Sequence, residues 1–309
     1  MSEIALPTSS TTVSVKVFDI ATPDSTAPAR NFLSPVKPGN NELPIAVYSF
    51  LIEHPNGRKM LFDLGVRKDS SNYSPVLQRL LSQGKFNVKV DKDITERLKE
   101  GGISLDQIDT VIWSHTHFDG DISLFPPTTK LLLGRGSDRR FFPEFADAKL
   151  QESDLTGREI EEISWYDPDL TIGGLSAIDF FGDGSLYLLD TPGVSSLSIQ
   201  AVCITFTVEQ HCPGHVTALA RVTNNTFVLL GGDTCHHPGQ LRPNVHIQRS
   251  FPYLGDLLTD LSKPILTIPE GISAYADRTT ALSSLEKIQV LDAHPDILLI
   301  TAMIRHWKV

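Results

Sequence analysis

The residues best suited to chemistry lie in the run Ser114-His115-Thr116-His117-Phe118-Asp119-Gly120-Asp121. Two histidines two positions apart, with a carboxylate two positions further on, can converge on one divalent cation from a single loop. Neutral imidazole and carboxylate are the donors zinc uses where it must keep a coordination position open for water. Two exposed loop histidines would be the plainer reading. Against it, an apolar run leading to a ligand-type side chain recurs twice more. Leu186-Tyr187-Leu188-Leu189-Asp190-Thr191-Pro192-Gly193 leads toward Cys212-Pro213-Gly214-His215, and Phe227-Val228-Leu229-Leu230-Gly231-Gly232 ends at Asp233.

The apolar runs before these side chains have strand length. Residues 110–113, 130–134, 186–193, 216–222, 226–233 and 296–301 read as strands, and 12–18 alternates as a strand should. Residues 46–54 and 60–65 form a hairpin signal about Asn56-Gly57. Helical spacing marks 75–83, 92–101, 254–262 and 278–291. The Pro-, Asn- and Gly-rich stretch 21–44 reads as loop, and 137–173, charged and irregular, as a lid or insertion. Residues 1–11 read as a disordered lead. Strands interspersed with helices, without a clean break, predict one α/β domain over 12–309, built of two mixed sheets with helices outside.

Composition narrows the function. The 309-residue chain has 27 Lys and Arg against 37 Asp and Glu, a net charge of −10. That is the wrong sign for neutralising a phosphate backbone, so no nucleic-acid partner is expected. The longest apolar stretches, such as 201–208, are too short to span a bilayer. Three cysteines, Cys203, Cys212 and Cys235, make no disulfide framework and fit a reducing compartment. With no basic and apolar leader in the first residues, the expected setting is cytoplasmic and the expected partner a small-molecule substrate.

Taken together, MLFDLG with Asp63, SHTHFD with His115, His117 and Asp119, CPGH with His215 and LLGGD with Asp233 resemble the metallo-β-lactamase superfamily. The resemblance covers the chain from about residue 12, and it is closest to the lactonase-like fungal hydrolases. It implies an αββα sandwich with a metal site at one edge of the two sheets. One zinc would take His115, His117 and His215. A second would take Asp119 with two further histidines, and Asp233 would bridge. A zinc-bound hydroxide would attack a carbonyl, with Asp119 orienting the water and carrying a proton. Asp63 would hold the ligand loops. His236 falls where lactonases of this superfamily carry a tyrosine over the substrate carbonyl, and is either a donor to that oxygen or a loop residue.

The chain departs from the superfamily pattern in three places. Asp119 is followed directly by Gly120-Asp121, where the pattern has a histidine and one neighbour more. Residues 194–210 separate Asp190-Thr191-Pro192-Gly193 from His211-Cys212-Pro213-Gly214-His215 and read as an insertion, of the kind a retained intron would encode. The strand at 296–301 leads not to Ala-His-Asp but to Ala302-Met303-Ile304-Arg305-His306, as a shifted frame would give, with His306 as the alternative ligand. The first zinc is thus the more secure of the two. The expected activity is hydrolysis of a lactone or lactam, including xenobiotics of the benzoxazolinone kind. The alternatives are a thioesterase on a carrier-, CoA- or glutathione-linked acyl group, and an inactive remnant.

Overall fold

Alternation along the buried strands decides what each sheet faces. The computed structural model describes residue 4 and residues 6–83, 86–165, 170–193, 214–246, 262–271, 273–275 and 277–301. In strand order, the first sheet consists of β1 (Ser14–Asp19), β4 (Tyr48–Glu53), β5 (Lys59–Phe62), β6 (Thr110–Trp113), β7 (Lys130–Gly134) and β10 (Ile160–Ile163). The second consists of β11 (Thr171–Ile172), β12 (Leu175–Asp179), β13 (Leu186–Asp190), β14 (Val216–Arg221), β15 (Phe227–Leu230) and β16 (Ile297–Ile300). Two small ribbons stand apart: β2 (Thr26–Pro28) with β3 (Glu42–Pro44), and β8 (Phe141–Phe142) with β9 (Leu150–Gln151).

Met60 and Phe62 of β5, Ile112 of β6, Leu186 and Leu188 of β13, and Ala218 and Leu230 all join one cluster between the sheets. Their neighbours Leu61, Val111 and Trp113 face outward and pack with Ile94 and Leu98 of α2 (Ile94–Glu100). On the other side Tyr187, Leu189, Leu219 and Leu229 meet Leu285, Ile288 and Leu291 of α4 (Arg278–Asp292). Strands covered on both faces read as nearly unbroken apolar runs, which is why they were legible in the sequence. The layers are therefore helix, sheet, sheet, helix: the expected αββα sandwich.

Strands β5, β6 and β7 run parallel, so the chain leaves all three at one edge. β13 and β15 end, and the antiparallel β14 begins, at the facing edge of the second sheet. The two edges are joined there by the Val216 N–H donating to the Ser114 carbonyl at 2.8 Å. The approach is close enough to demand glycine, because a Cβ on Gly134 would stand 2.2 Å from the Gly214 carbonyl oxygen.

Several expectations are corrected. The 137–173 stretch is no lid: β10 extends the first sheet, pairing in parallel with β7, and Asp154 of α3 (Glu152–Leu155) is wholly buried. The 21–44 stretch contains β2 and β3. The described part of the 1–11 lead is held against the domain, with Ser9 Oγ donating to the Asp183 carbonyl at 2.5 Å and Arg221 donating to the Pro7 carbonyl. The insertion at 194–210, the tail from Ala302 with His306, and most of the helix expected at 254–262 lie outside the described residues. Among the described residues no helix is long and apolar enough to cross a membrane.

Candidate metal centre

Asp63 follows β5, His115, His117 and Asp119 follow β6, His215 precedes β14, and Asp233 follows β15, so both sheets supply the same edge. Asp63 sits at φ +56°, a left-handed conformation that aspartate tolerates better than most residues. That turn lets its Oδ1 accept the Ser114 N–H at 2.7 Å while its carbonyl accepts from Ser49 Oγ at 2.7 Å. Burial, with Asp233 nearby, pushes the Asp63 carboxyl up to about 7 against the pull of the Ser114 bonds. Gly232 brings Asp233 in at φ +50°, where a Cβ would stand 2.9 Å from the Ser114 side chain and 3.0 Å from His215 Nε2.

Three imidazoles are oriented alike. Nδ1 of His115 lies 2.9 Å from Ser114 Oγ, Nδ1 of His215 lies 2.8 Å from Thr191 Oγ1, and Nδ1 of His236 lies 2.7 Å from the Tyr275 hydroxyl. Each Nε2 is thereby turned toward Asp233. The separations are 3.6 Å from Oδ2 to His115 Nε2, 3.6 Å to His236 Nε2, and 3.2 Å from the Asp233 amide to His215 Nε2. Since that amide donates, His215 Nε2 accepts, and the ring carries its proton on Nδ1. Burial holds His115 and His117 below the ordinary imidazole range and lowers His215 to about 3, so all three rings are neutral near pH 7. Asp233 goes the other way: burial opposes ionisation, but His115, His236 and His215 around it hold the carboxyl well below the usual range. Burial, then Asp63 and Asp233, raise Asp119 well above it.

As they stand, no three His, Cys, Asp or Glu side chains among the described residues are arranged to hold an ion. One reason is visible: His215 Nε2 is engaged by the Asp233 amide. The donor chemistry nevertheless suits a divalent cation. The rings of His115, His117 and His215 are neutral, and an Nδ1 held by a hydroxyl beside an Nε2 turned inward is how metal-binding histidines are oriented. Two donors on one tetrahedral zinc stand roughly 3.3 Å apart, close to the 3.6 Å spacings about Asp233. Asp119 Oδ2 and His236 Nε2 are buried without a hydrogen-bond partner.

The site opens into a cavity of about 260 Å³. His115, His117, Asp119, Asp63 and Asp233 line it together with Arg67, Lys68 and Lys89, and Phe32, Val47, Tyr48, Phe86, Val88 and Phe118 are among its apolar walls. His236 is fully buried and is not among the lining residues.

No family model matches the chain. Among characterised proteins, metallo-hydrolase mfmC of Annulohypoxylon moriforme is 36% identical over 97% of this chain and 80% of its own length. The chain belongs to the metallo-β-lactamase superfamily of hydrolases. Gamma-lactamase FDB1 of Fusarium pseudograminearum is 35% identical over 78% of this chain and 57% of its own length. Other relatives are longer still, and the chain spans 34% of them. In fold, the chain is similar to AiiA of B. thuringiensis, crystallised as a variant with N-decanoyl-L-homoserine at its active site. That match has a TM-score of 0.61 at 16% identity, covering 96% of this chain and 94% of AiiA.

Within this metallo-β-lactamase fold, the six sequence-nominated residues Asp63, His115, His117, Asp119, His215 and Asp233 gather at one edge. His236 joins them from behind Asp233 rather than from the cavity. Where the superfamily pattern has its extra histidine, the chain closes the loop tightly: a Cβ on Gly120 would stand 2.6 Å from the Leu64 carbonyl oxygen, and Asp121 accepts from the Ser123 N–H at 3.0 Å. Sequence reasoning missed the residues that hold the ligand loop. Arg67 donates to Asp154 Oδ1 at 2.6 Å and to the Asn72 carbonyl at 2.6 Å, and its Nε lies 3.4 Å from the Asp119 carbonyl. The Tyr73 hydroxyl accepts the Arg67 amide and donates to the Phe118 carbonyl. Only Ser114 and Thr191, which adjoin the motifs, carried a local signal.

Proposed function

We propose that the chain hydrolyses a cyclic amide or ester, a lactam or lactone, at a divalent metal, with zinc the best candidate. The observation that carries this reading is the cavity: a chamber with largely apolar walls whose polar lining includes two histidines and three carboxylates, with Arg67, Lys68 and Lys89. The names of the relatives, a metallo-hydrolase and a gamma-lactamase, support the same class. His115, His117 and His215 would hold the first ion, with Asp233 beside it. A bound zinc supplies Lewis acidity and a water whose pKa is lowered to about 7. The residues do the rest. Asp63 keeps the Ser114 amide, and with it the start of the histidine loop, in place. Asp119, with one oxygen unpartnered, would orient the attacking water and pass a proton to the leaving nitrogen or oxygen. The apolar walls would seat the ring and its substituent and exclude bulk water.

The zinc-loaded protein should open γ-lactams, benzoxazolinones or lactones in a product-resolved assay, and a chelator should abolish the turnover. His117→Ala should lower it at least about a hundredfold. Turnover of acyl thioesters with none of cyclic amides or esters would replace this reading with a thioesterase.

A further inference from the structure

The main chain of Asp119 is held on both sides, and one of the two anchors is a tyrosine. The Tyr73 hydroxyl donates to the Phe118 carbonyl at 3.1 Å. That carbonyl belongs to the peptide plane entering Asp119. The plane leaving it carries the Asp119 carbonyl, which lies 3.4 Å from Arg67 Nε. A peptide unit is rigid, so fixing the two planes fixes φ and ψ of Asp119, and with them the direction in which its carboxyl leaves the chain. The two anchors are tied to each other. The Tyr73 hydroxyl accepts the Arg67 amide at 2.8 Å, and the guanidinium lies 5.1 Å from the centre of the tyrosine ring.

Tyr73 is itself well held. It is 3% exposed, its carbonyl accepts from Gln78 of α1 (Pro75–Ser82) at 2.7 Å, and its ring meets that of Phe118 edge-on at 5.7 Å. The ring is one of the cavity's walls, whereas both partners of the hydroxyl are main-chain groups. A phenylalanine would make the same wall. The wall therefore does not account for the hydroxyl, and the grip on the Asp119 loop does.

Resting on the hydrolase reading above, we propose that Tyr73 is a positioning residue for proton transfer by Asp119. In ring opening, the attacking water gives a proton to Asp119 as its oxygen adds to the carbonyl carbon. When the ring bond from that carbon breaks, its electron pair stays on the leaving oxygen or nitrogen, which takes the proton from Asp119. The transfer needs the carboxyl within hydrogen-bond reach of the departing atom, and it counts for more as that atom becomes more basic. A phenolate departs with little help; an alkoxide does not. A carboxyl turned out of line thus penalises the poor leaving group selectively.

The test compares two six-membered lactones on the zinc-loaded full chain: δ-valerolactone, which expels an alkoxide, and dihydrocoumarin, which expels a phenolate. A matching pair of lactams, with alkyl and aryl nitrogen, serves if amides are preferred. In Tyr73→Phe, kcat/KM should fall about 10–100-fold for the alkoxide ring and no more than about threefold for the phenolate ring. Both rates come from one sample, so folded fraction and metal content cancel from their ratio. Asp183→Asn, which loses a bond to His54 far from the loop, should lower the melting temperature and leave that ratio at the parental value. Hydrogen exchange reads the anchor apart from turnover: the Arg67 amide, its acceptor gone, should exchange at least about tenfold faster in Tyr73→Phe. The assignment is overturned, with the hydrolase reading intact, if Tyr73→Phe slows both rings equally or neither, if the Arg67 amide keeps its protection, or if the parent opens only the ring with the good leaving group. If the parent opens no cyclic ester or amide, both fall.

Discussion

Asp154 should be among the costliest residues to lose, although it lies outside every motif. Its carboxylate is fully buried, pairs with Arg67 at 2.6 Å, and accepts the Gln151 amide at 2.8 Å. Burial raises its pKa despite the guanidinium beside it, so desolvation outweighs the attraction. Such a pair adds little net stability as a pair, but half of it is a liability. Removing one partner strands a buried charge, at about 3–5 kcal/mol, whereas replacing both with apolar residues is often close to neutral. Asp154→Ala should therefore cost about 3–5 kcal/mol. At about 2 °C per kcal/mol for a chain of this size, that is a fall of roughly 6–10 °C in melting temperature. The double change Arg67→Met with Asp154→Leu should recover only part of it, because the bond from Arg67 to the Asn72 carbonyl, at about 0.5–1.5 kcal/mol, and the bond to the Gln151 amide at the start of α3, at about 0.5–2 kcal/mol, are both still lost. Thermal melts followed by circular dichroism, with all four proteins in one cycle, measure the coupling directly. The reasoning is refuted if Asp154→Ala costs under about 1 kcal/mol, or if the double variant loses the sum of the singles.

Gly134→Ala, whose Cβ would meet the Gly214 carbonyl oxygen at 2.2 Å, should destabilise by at least about 1–3 kcal/mol and shift His215; melting temperature and retained zinc should fall together. Phe86→Ala, on the apolar wall against Phe32, should raise KM roughly tenfold with kcat little changed, as read from steady-state kinetics on whichever cyclic substrate is turned over. At Asp183, burial pushes the carboxyl up, but hydrogen bonds from Ser185 and His54 outweigh it and hold the group below the usual range. A depressed carboxylate contributes stability above its unfolded pKa of about 3.9 and loses it as pH falls through the folded value. The melting-temperature gap between the parent and Asp183→Asn should thus be widest above about pH 5 and narrow toward pH 3; a gap that widens on acidification would reverse the sign.

What the sequence revealed and what it hid follow from distance along the chain. β6, β13 and β15 announce themselves because both their faces are covered, and the ligand-type residues follow at once. β10 hides within a stretch that reads as a lid or insertion, because Ile160-Glu161-Glu162-Ile163 is an edge strand with both glutamates exposed. Its place comes from pairing with β7, thirty residues earlier, which no local pattern carries. Tyr275 is 39 positions from His236, and Asp154 is 87 from Arg67. Contacts of that span are decided when the sheets dock. The histidine loop is legible as chemistry, but the tyrosine hydroxyls and the ion pair that fix its geometry are not.

The Val216-to-Ser114 hydrogen bond crosses from one sheet to the other. It lies where the half of the chain carrying His115, His117 and Asp119 meets the half carrying His215, Asp233 and His236. Each half builds one sheet, and the proposed ligands are divided between them. An ion gripped from both sides acts as a rivet between two shells, and its binding energy is added to their adhesion by mass action. Chelation should then loosen the seam before it loosens either shell. In hydrogen exchange, amides facing that seam should lose protection first, while the cores of the separate sheets hold. A chain severed between β10 and β11 would carry a built-in reporter of reassembly, since tight metal uptake returns only when the two shells close on each other.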